Sequence, residues 1–162
     1  GATIRSSPRG SPDPNAPPPK AGDMKIYAFR LRRNGTVGQR RTLVDFGDKK
    51  GCDGMTVDAN GNVYLTVRDS SRPGVLVVEP EEGREVGFIP TGPPNQTAAE
   101  PVGLPSNVEF GRGEESNVLY VTIDKSLYRI PLKAKGFHRQ YGDRVAGDAA
   151  KGGKRRNKKK ND

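Results

Sequence analysis

With 162 residues, a net charge of +9, 31% hydrophobic residues and a mean hydropathy of −0.79, the chain suffices for one ordinary domain but has too little apolar material to pack all of itself. No apolar run approaches the roughly 20 residues that span a bilayer, and the single cysteine, Cys52, excludes an intramolecular disulfide or a cysteine-rich zinc module. Glycine (21) and proline (14) together form about a fifth of the chain, which favours a turn-rich all-β protein with disordered ends over a helical one.

Residues 1–23 are rich in Pro, Ser, Gly and Asp, and such a segment cannot bury enough surface to offset its ordering entropy, so it reads as a linker or loop. Its opening, GATIRSSPRGSPDPN, has no apolar core of a signal peptide. The chain starts with Gly rather than Met, so an N-terminal portion is expected to be missing, and the compartment stays open between cytoplasmic and exported. Met24 begins a strand, MKIYAFRLR, with apolar character on both faces; Asn34-Gly35 turns the chain, and RTLVDFG returns as a second strand. A first hairpin over Lys25 to Phe46 follows.

The stretch Gly51 to Val67, GCDGMTVDANGNVYLTV, holds two apolar-alternating strands around Asn60-Gly61, a strong hairpin signal. GVLVVEP and REVGFIPTG add two further strands, so that four short strands joined by short turns form an antiparallel meander. A Pro- and Gly-rich connection, PPNQTAAEPVGLP, leads to SNVEFG, VLYVTI and KSLYRIPL. Aligned on their own residues, DGMTVD, VYLTV and GVLVVEP match SNVEFG, LYVTI and SLYRIPL, with a period of about 53 residues. Four-stranded units at that spacing are the signature of β-propeller blades, the competing reading being a small β-sandwich with two similar hairpins. The second copy lacks a clear fourth strand, which Met24 to Leu31 or a segment outside the chain could supply.

Among chemistry-bearing residues, Asp53 stands just before a strand, where a carboxylate can be aimed out of a sheet end; an Asx-turn that starts the strand is the alternative. Asp58 and Asp124 read as turn residues. Cys52 reads as a small buried apolar residue rather than a nucleophile, because the one histidine, His138, lies in a basic, tail-like region. The positive excess is concentrated in Lys151 to Lys160 and in Arg30, Arg32, Arg33, Arg40 and Arg41. Without aromatic residues in the tail or a nucleic-acid fold signature, this points to a solvated tail with non-specific affinity for polyanions and to no specific nucleic acid.

The ordered set CDGMTVDANGNVYLTV, GVLVVEPEEGREVGFIPTGPPNQ, SNVEFG and LYVTIDKSLYRIPL resembles the second half of proteins of the gluconolactonase and senescence-marker-protein (regucalcin-like) family, over about residues 24–132. The resemblance implies a six-bladed β-propeller, present here as about two to two and a half four-stranded blades, between the linker 1–23 and a basic, mostly disordered tail at 133–162. It implies a divalent cation at one end of the central channel, Ca²⁺ first with Zn²⁺ or Mg²⁺ as alternatives, and hydrolytic opening of small sugar lactones by a monomer. The carboxylate of the family's DG motif, a metal ligand and proposed base, falls on Asp53. Asn107 and Gly54 are expected to line the channel. The family's other ligands, a glutamate and two asparagines of earlier blades, have no counterpart here; Asn15 and Asn34 stand in the wrong settings. The chain is therefore expected to be an inactive fragment of a metal-dependent lactonase, or else a non-catalytic propeller segment serving as an interaction or polyanion-binding module.

Overall fold

A computed structural model describes residues 22–138. The proline-rich stretch up to residue 21, Tyr141 and the basic run from Lys151 to Lys160 lie outside the described residues. Nine strands follow in chain order: β1 (Lys25–Leu31), β2 (Val37–Asp45), β3 (Cys52–Val57), β4 (Val63–Val67), β5 (Gly74–Val78), β6 (Glu85–Pro90), β7 (Pro105–Phe110), β8 (Val118–Ile123) and β9 (Ser126–Pro131), with one short 3₁₀ turn at Gly113–Glu115. They form an antiparallel hairpin β1-β2, a four-stranded meander β3-β4-β5-β6 and a three-stranded meander β7-β8-β9. This is a partial β-propeller with one complete blade.

Turn chemistry sets each reversal. Gly35 and Gly61 adopt φ of 82° and 87°, conformations open to glycine at little cost, at the two Asn-Gly turns. Asp58, Asp69 and Asp45 each accept the backbone N–H two residues on, at 2.9, 2.8 and 2.9 Å. These Asx-turns fix the entry of the following segment.

The central blade is apolar on both faces because both are covered. Tyr64, Val75 and Val77 pack with Val108, Phe110, Leu119, Val121 and Ile123 of the third sheet. Leu65 and Val78 pack on the opposite side with Leu43 of the first hairpin, flanked by Ile26, Ala28 and Val44. This explains why β4 and β5 are buried almost without interruption, whereas β1 and β9, each at a sheet margin, are largely exposed. The edge-on contact of Tyr64 with Phe110, with ring centroids 5.0 Å apart, locks the seam between the two blades.

One point differs from the sequence reading. β1 does not complete the third blade: its partner is β2, its own hairpin mate, and β9 ends that sheet. β1 closes onto β2 through the short connection at Asn34-Gly35, and its other edge takes no strand among the described residues. Ordered pairing also runs past Leu132. Residues 132–138 turn back across the seam, where Leu132 N, Gly136 N and Phe137 N donate to Asn117 O, Ser116 O and Val57 O, and Ala59 N donates to Lys135 O. Gly136 is seated so closely that a Cβ there would stand 2.2 Å from Phe110 Cβ.

Under this returning strap sits Asp58, 2% exposed. Its carboxylate accepts Asn60 N, Asn62 N and Asn62 Nδ2, each at 2.9 Å, and Tyr64 Oη at 3.4 Å. Burial, with the Asp58 charge beside it, pushes the Tyr64 phenol up to about 12. The folded state thus favours neutral Tyr64, and the stability this contributes is complete below pH 10 and lost as pH rises toward 12. Alkaline titration followed by tyrosinate absorbance is expected to show a step near 12 that Tyr64→Phe removes; survival of that step in the variant would assign it elsewhere. Asp58→Ala leaves buried N–H donors without an acceptor, and urea unfolding is expected to register a loss of at least about 2 kcal/mol.

Candidate functional site

The inner strands of the two blades, β3 and β7, lie side by side, and each has a sheet partner on one side only. Both carry the same irregularity. In β3 the register jumps between Cys52, opposite Val67, and Met55, opposite Leu65, so Asp53 and Gly54 together face Thr66. In β7 it jumps between Pro105, opposite Ile123, and Asn107, opposite Thr122, with Ser106 as the extra residue. A bulge inserts one residue, bends the strand and re-aims the side chain beside it. Asp53 is therefore inside β3, as its second residue, rather than just ahead of the strand.

A threonine on the neighbouring strand secures each bulge. Thr66, fully buried, accepts Gly54 N at 2.8 Å and donates to Gly54 O at 3.1 Å. Thr122 pairs its hydroxyl with Ser106 Oγ at 2.8 Å. Thr66 thus satisfies backbone groups that the disturbed ladder would leave unpaired, and Thr122 also points its hydroxyl at the Asn107 carbonyl, 3.4 Å away. The repeat extends from sequence to hydrogen bonding, and it aligns Asp53 with Ser106 and Gly54 with Asn107.

The bulge leaves Asp53 half exposed, its side chain 55% accessible, and its partner is Arg68, whose Nη1 lies 3.6 Å from Oδ2. Unlike Asp45, Asp58 and Asp69, Asp53 accepts no turn N–H among the described residues, so the Asx-turn alternative does not describe it. Arg68 follows β4 directly and also points Nη1 at the Pro105 carbonyl, 3.5 Å away, across the seam. The sequence alone does not single out Arg68. The hairpin register was the signal that could have found it, since pairing Cys52 with Val67 puts Arg68 diagonal to Asp53.

Gly54 and Asn107 do meet. A Cβ on Gly54 would stand 2.3 Å from Asn107 Oδ1 and 2.8 Å from its Cα, so glycine is required for the two inner strands to approach. Asn107 is exposed, and its Oδ1 accepts Val108 N at 2.9 Å. Cys52 donates its thiol to Gly54 O at 3.3 Å, and burial raises its pKa, which keeps it protonated and poorly suited to nucleophilic attack. Asp124 braces the connection into β7, accepting Gly103 N at 2.7 Å and Leu104 N at 3.3 Å. His138, distant in sequence from Cys52, contacts the Gly111 carbonyl through Nε2 at 3.0 Å.

The profile of the SMP-30/Gluconolactonase/LRE-like region matches residues 22–125. The chain belongs to this family. No curated protein matches it as a sequence relative. Among solved structures, a luciferin-regenerating enzyme superposes with a TM-score of 0.53 at 20% identity, over 72% of this chain and 41% of that one. This gluconolactonase-like chain therefore spans less than half the length of that structural relative, and the likeness concerns the propeller fold. No helix among the described residues is long and apolar enough to cross a membrane.

For a divalent cation the family member offers few donors. Among the described residues no group of three or more His, Cys, Asp and Glu side chains converges. Asp53, held by Arg68, and the amide oxygen of Asn107 fall short of the six to eight oxygens that Ca²⁺ takes, and short of the four or six donors of Zn²⁺ or Mg²⁺. The described residues thus do not by themselves fit the ion. Gly54→Ala is expected to force β3 away from β7 at a cost of about 1–3 kcal/mol, measured as a lower unfolding midpoint. Adding Asn107→Gly should recover only part of it, because the backbone contact at 2.8 Å remains.

Proposed function

We propose that this chain contributes one wall of the active site of a gluconolactonase-like propeller hydrolase, with Asp53 as its catalytic carboxylate. What carries the reading is the setting of Asp53: an accessible carboxylate on a bulge of an inner strand, used by no turn, within a family-matched segment. The substrate class is a small sugar lactone. Asp53 takes a proton from water as the water oxygen attacks the lactone carbonyl carbon, the role of a positioned general base. The bond from that carbon to the ring oxygen then breaks, the ring oxygen takes up a proton, and a hydroxy acid leaves. Asn107, one blade on, presents its exposed side chain beside Gly54, where it lines the approach.

Asp53 is also the donor that this chain offers to a divalent cation, Ca²⁺ foremost, with Asn107 as channel lining. Because the described residues leave such an ion short of donors, no step of the reaction is routed through it. The same shortage leads us to propose that the chain is silent in isolation, as one part of a ring whose further blades complete the site.

The 162-residue chain alone is expected to open δ-gluconolactone no faster than buffer, followed by acid release. In a protein carrying this sequence within a complete ring, Asp53→Asn is expected to lower the rate by about 10²–10⁴-fold, the usual contribution of a general base. Asp124→Asn, which alters a loop brace, should leave it within a few-fold. An undiminished rate in the Asp53 variant would overturn the assignment.

A further inference from the structure

The first hairpin reaches past the sheet on which it packs. Ile26, Ala28, Leu43 and Val44 hold its base against the central blade, and Arg41 donates to the Pro80 carbonyl in the turn after β5. Beyond that base the chain is bare. From Phe29 to Thr42 every residue except Gly38 is exposed, including Arg30, which follows Ile26 and Ala28 on the face that meets the central sheet. A further blade set against the outer face leaves the inner face of this arm uncovered, so an incomplete ring does not account for its exposure.

The arm has two kinds of unpaired surface. Tyr27, Phe29 and Leu31 alternate onto the outer face, where Val37 stands opposite Leu31. Phe29, Leu31 and Val37 are 52%, 72% and 64% exposed, a continuous apolar strip toward the tip. Around it stand Arg30, Arg32, Arg33, Arg40 and Arg41, and the arm holds no acidic residue. Arg40 stacks on Tyr27, 4.3 Å from the ring centroid, while Arg30, Arg32 and Arg33 form no ion pair among the described residues. An apolar tip ringed by arginines complements an anionic lipid surface: guanidiniums bind headgroup phosphates while their stems and the tip side chains enter the acyl boundary. A nucleic acid takes up the charge but offers nothing to Leu31 and Val37, which cannot stack on bases.

We propose that the β1-β2 hairpin is a membrane-docking arm, which seats Leu31 and Val37 in the interface of an anionic bilayer and holds them there through its arginines. The attachment is peripheral. It is independent of the role assigned to Asp53.

The chain contains no tryptophan, so Leu31→Trp in the full chain places a single reporter at the tip. Its emission is expected to shift to the blue on vesicles of equal parts phosphatidylglycerol and phosphatidylcholine, and to be quenched by bromine-labelled acyl chains. Phosphatidylcholine alone or heparin should leave it unshifted. In vesicle sedimentation, Leu31→Ser/Val37→Ser is expected to lower partitioning about tenfold with the charge unchanged. Arg30→Gln/Arg32→Gln/Arg33→Gln should lower it by more, at about fivefold for each arginine near an anionic surface. Circular dichroism melts establish that each variant is folded. An unshifted reporter on vesicles that nevertheless bind the chain would assign binding to the basic run Lys151 to Lys160 and overturn the arm. Equal blue shifts with heparin, full partitioning of the serine variant, or no vesicle binding at all would overturn it as well. None of these readouts depends on lactone opening, so failure of the hydrolase reading and failure of this inference remain distinct.

Discussion

Burial of both faces of the β3–β6 sheet is the constraint on which the rest of this structure depends. One face packs against the first hairpin through Leu65 and Val78, the other against the third sheet through Tyr64, Val75 and Val77. A sheet covered on both sides needs apolar residues at successive positions, and VYLTV and GVLVV supply them. At roughly 1.5–3 kcal/mol for each large side chain fully buried, these contacts outweigh any surface ion pair in the molecule. The ion pairs of Arg72 with Glu85 and Arg129 with Glu115, at 2.7 and 3.0 Å, trim the margins; Arg72 holds Glu85 below its usual range, and the Tyr120 hydroxyl, with Arg129, does the same for Glu115.

From this packing follows the geometry around Asp53. Two blades can sit face to face only if their inner strands come close, and Gly54 against Asn107 is where they do. The bulges of β3 and β7 tilt the strand starts, while Thr66 bonds the Gly54 backbone and Thr122 the Ser106 hydroxyl. Asp53 is exposed because it sits on a bulge, and Arg68 reaches it because β4 is antiparallel to β3. The candidate site is thus a consequence of how a blade is built rather than an addition to it.

Much of this was legible in the residues. Asn34-Gly35 and Asn60-Gly61 located two hairpins, the apolar alternation gave the strands in their observed order, and the 53-residue repeat pointed to blades while leaving a sandwich open. Asp58 and Asp124 as turn residues also hold in the structure. Asp53 differs from its neighbours only in what its carboxylate does not bond to, which no spacing reveals. The pairing of β1 with β2 alone, and the return of residues 132–138 across the seam, involve partners distant in sequence or choices between equally apolar edges.

By itself, then, the sequence determined the all-β class, the turns, the strand order and the family resemblance, because these depend on local periodicity and on residues with restricted backbone preferences. Tertiary structure alone decided which charges meet. The approach of Arg68 to Asp53 and to Pro105 joins residues of two strands and two blades, and the depth at which Asp58 is buried depends on a segment more than seventy residues further along the chain. Interactions of this kind act through space, and only the packed sheets bring their partners within range.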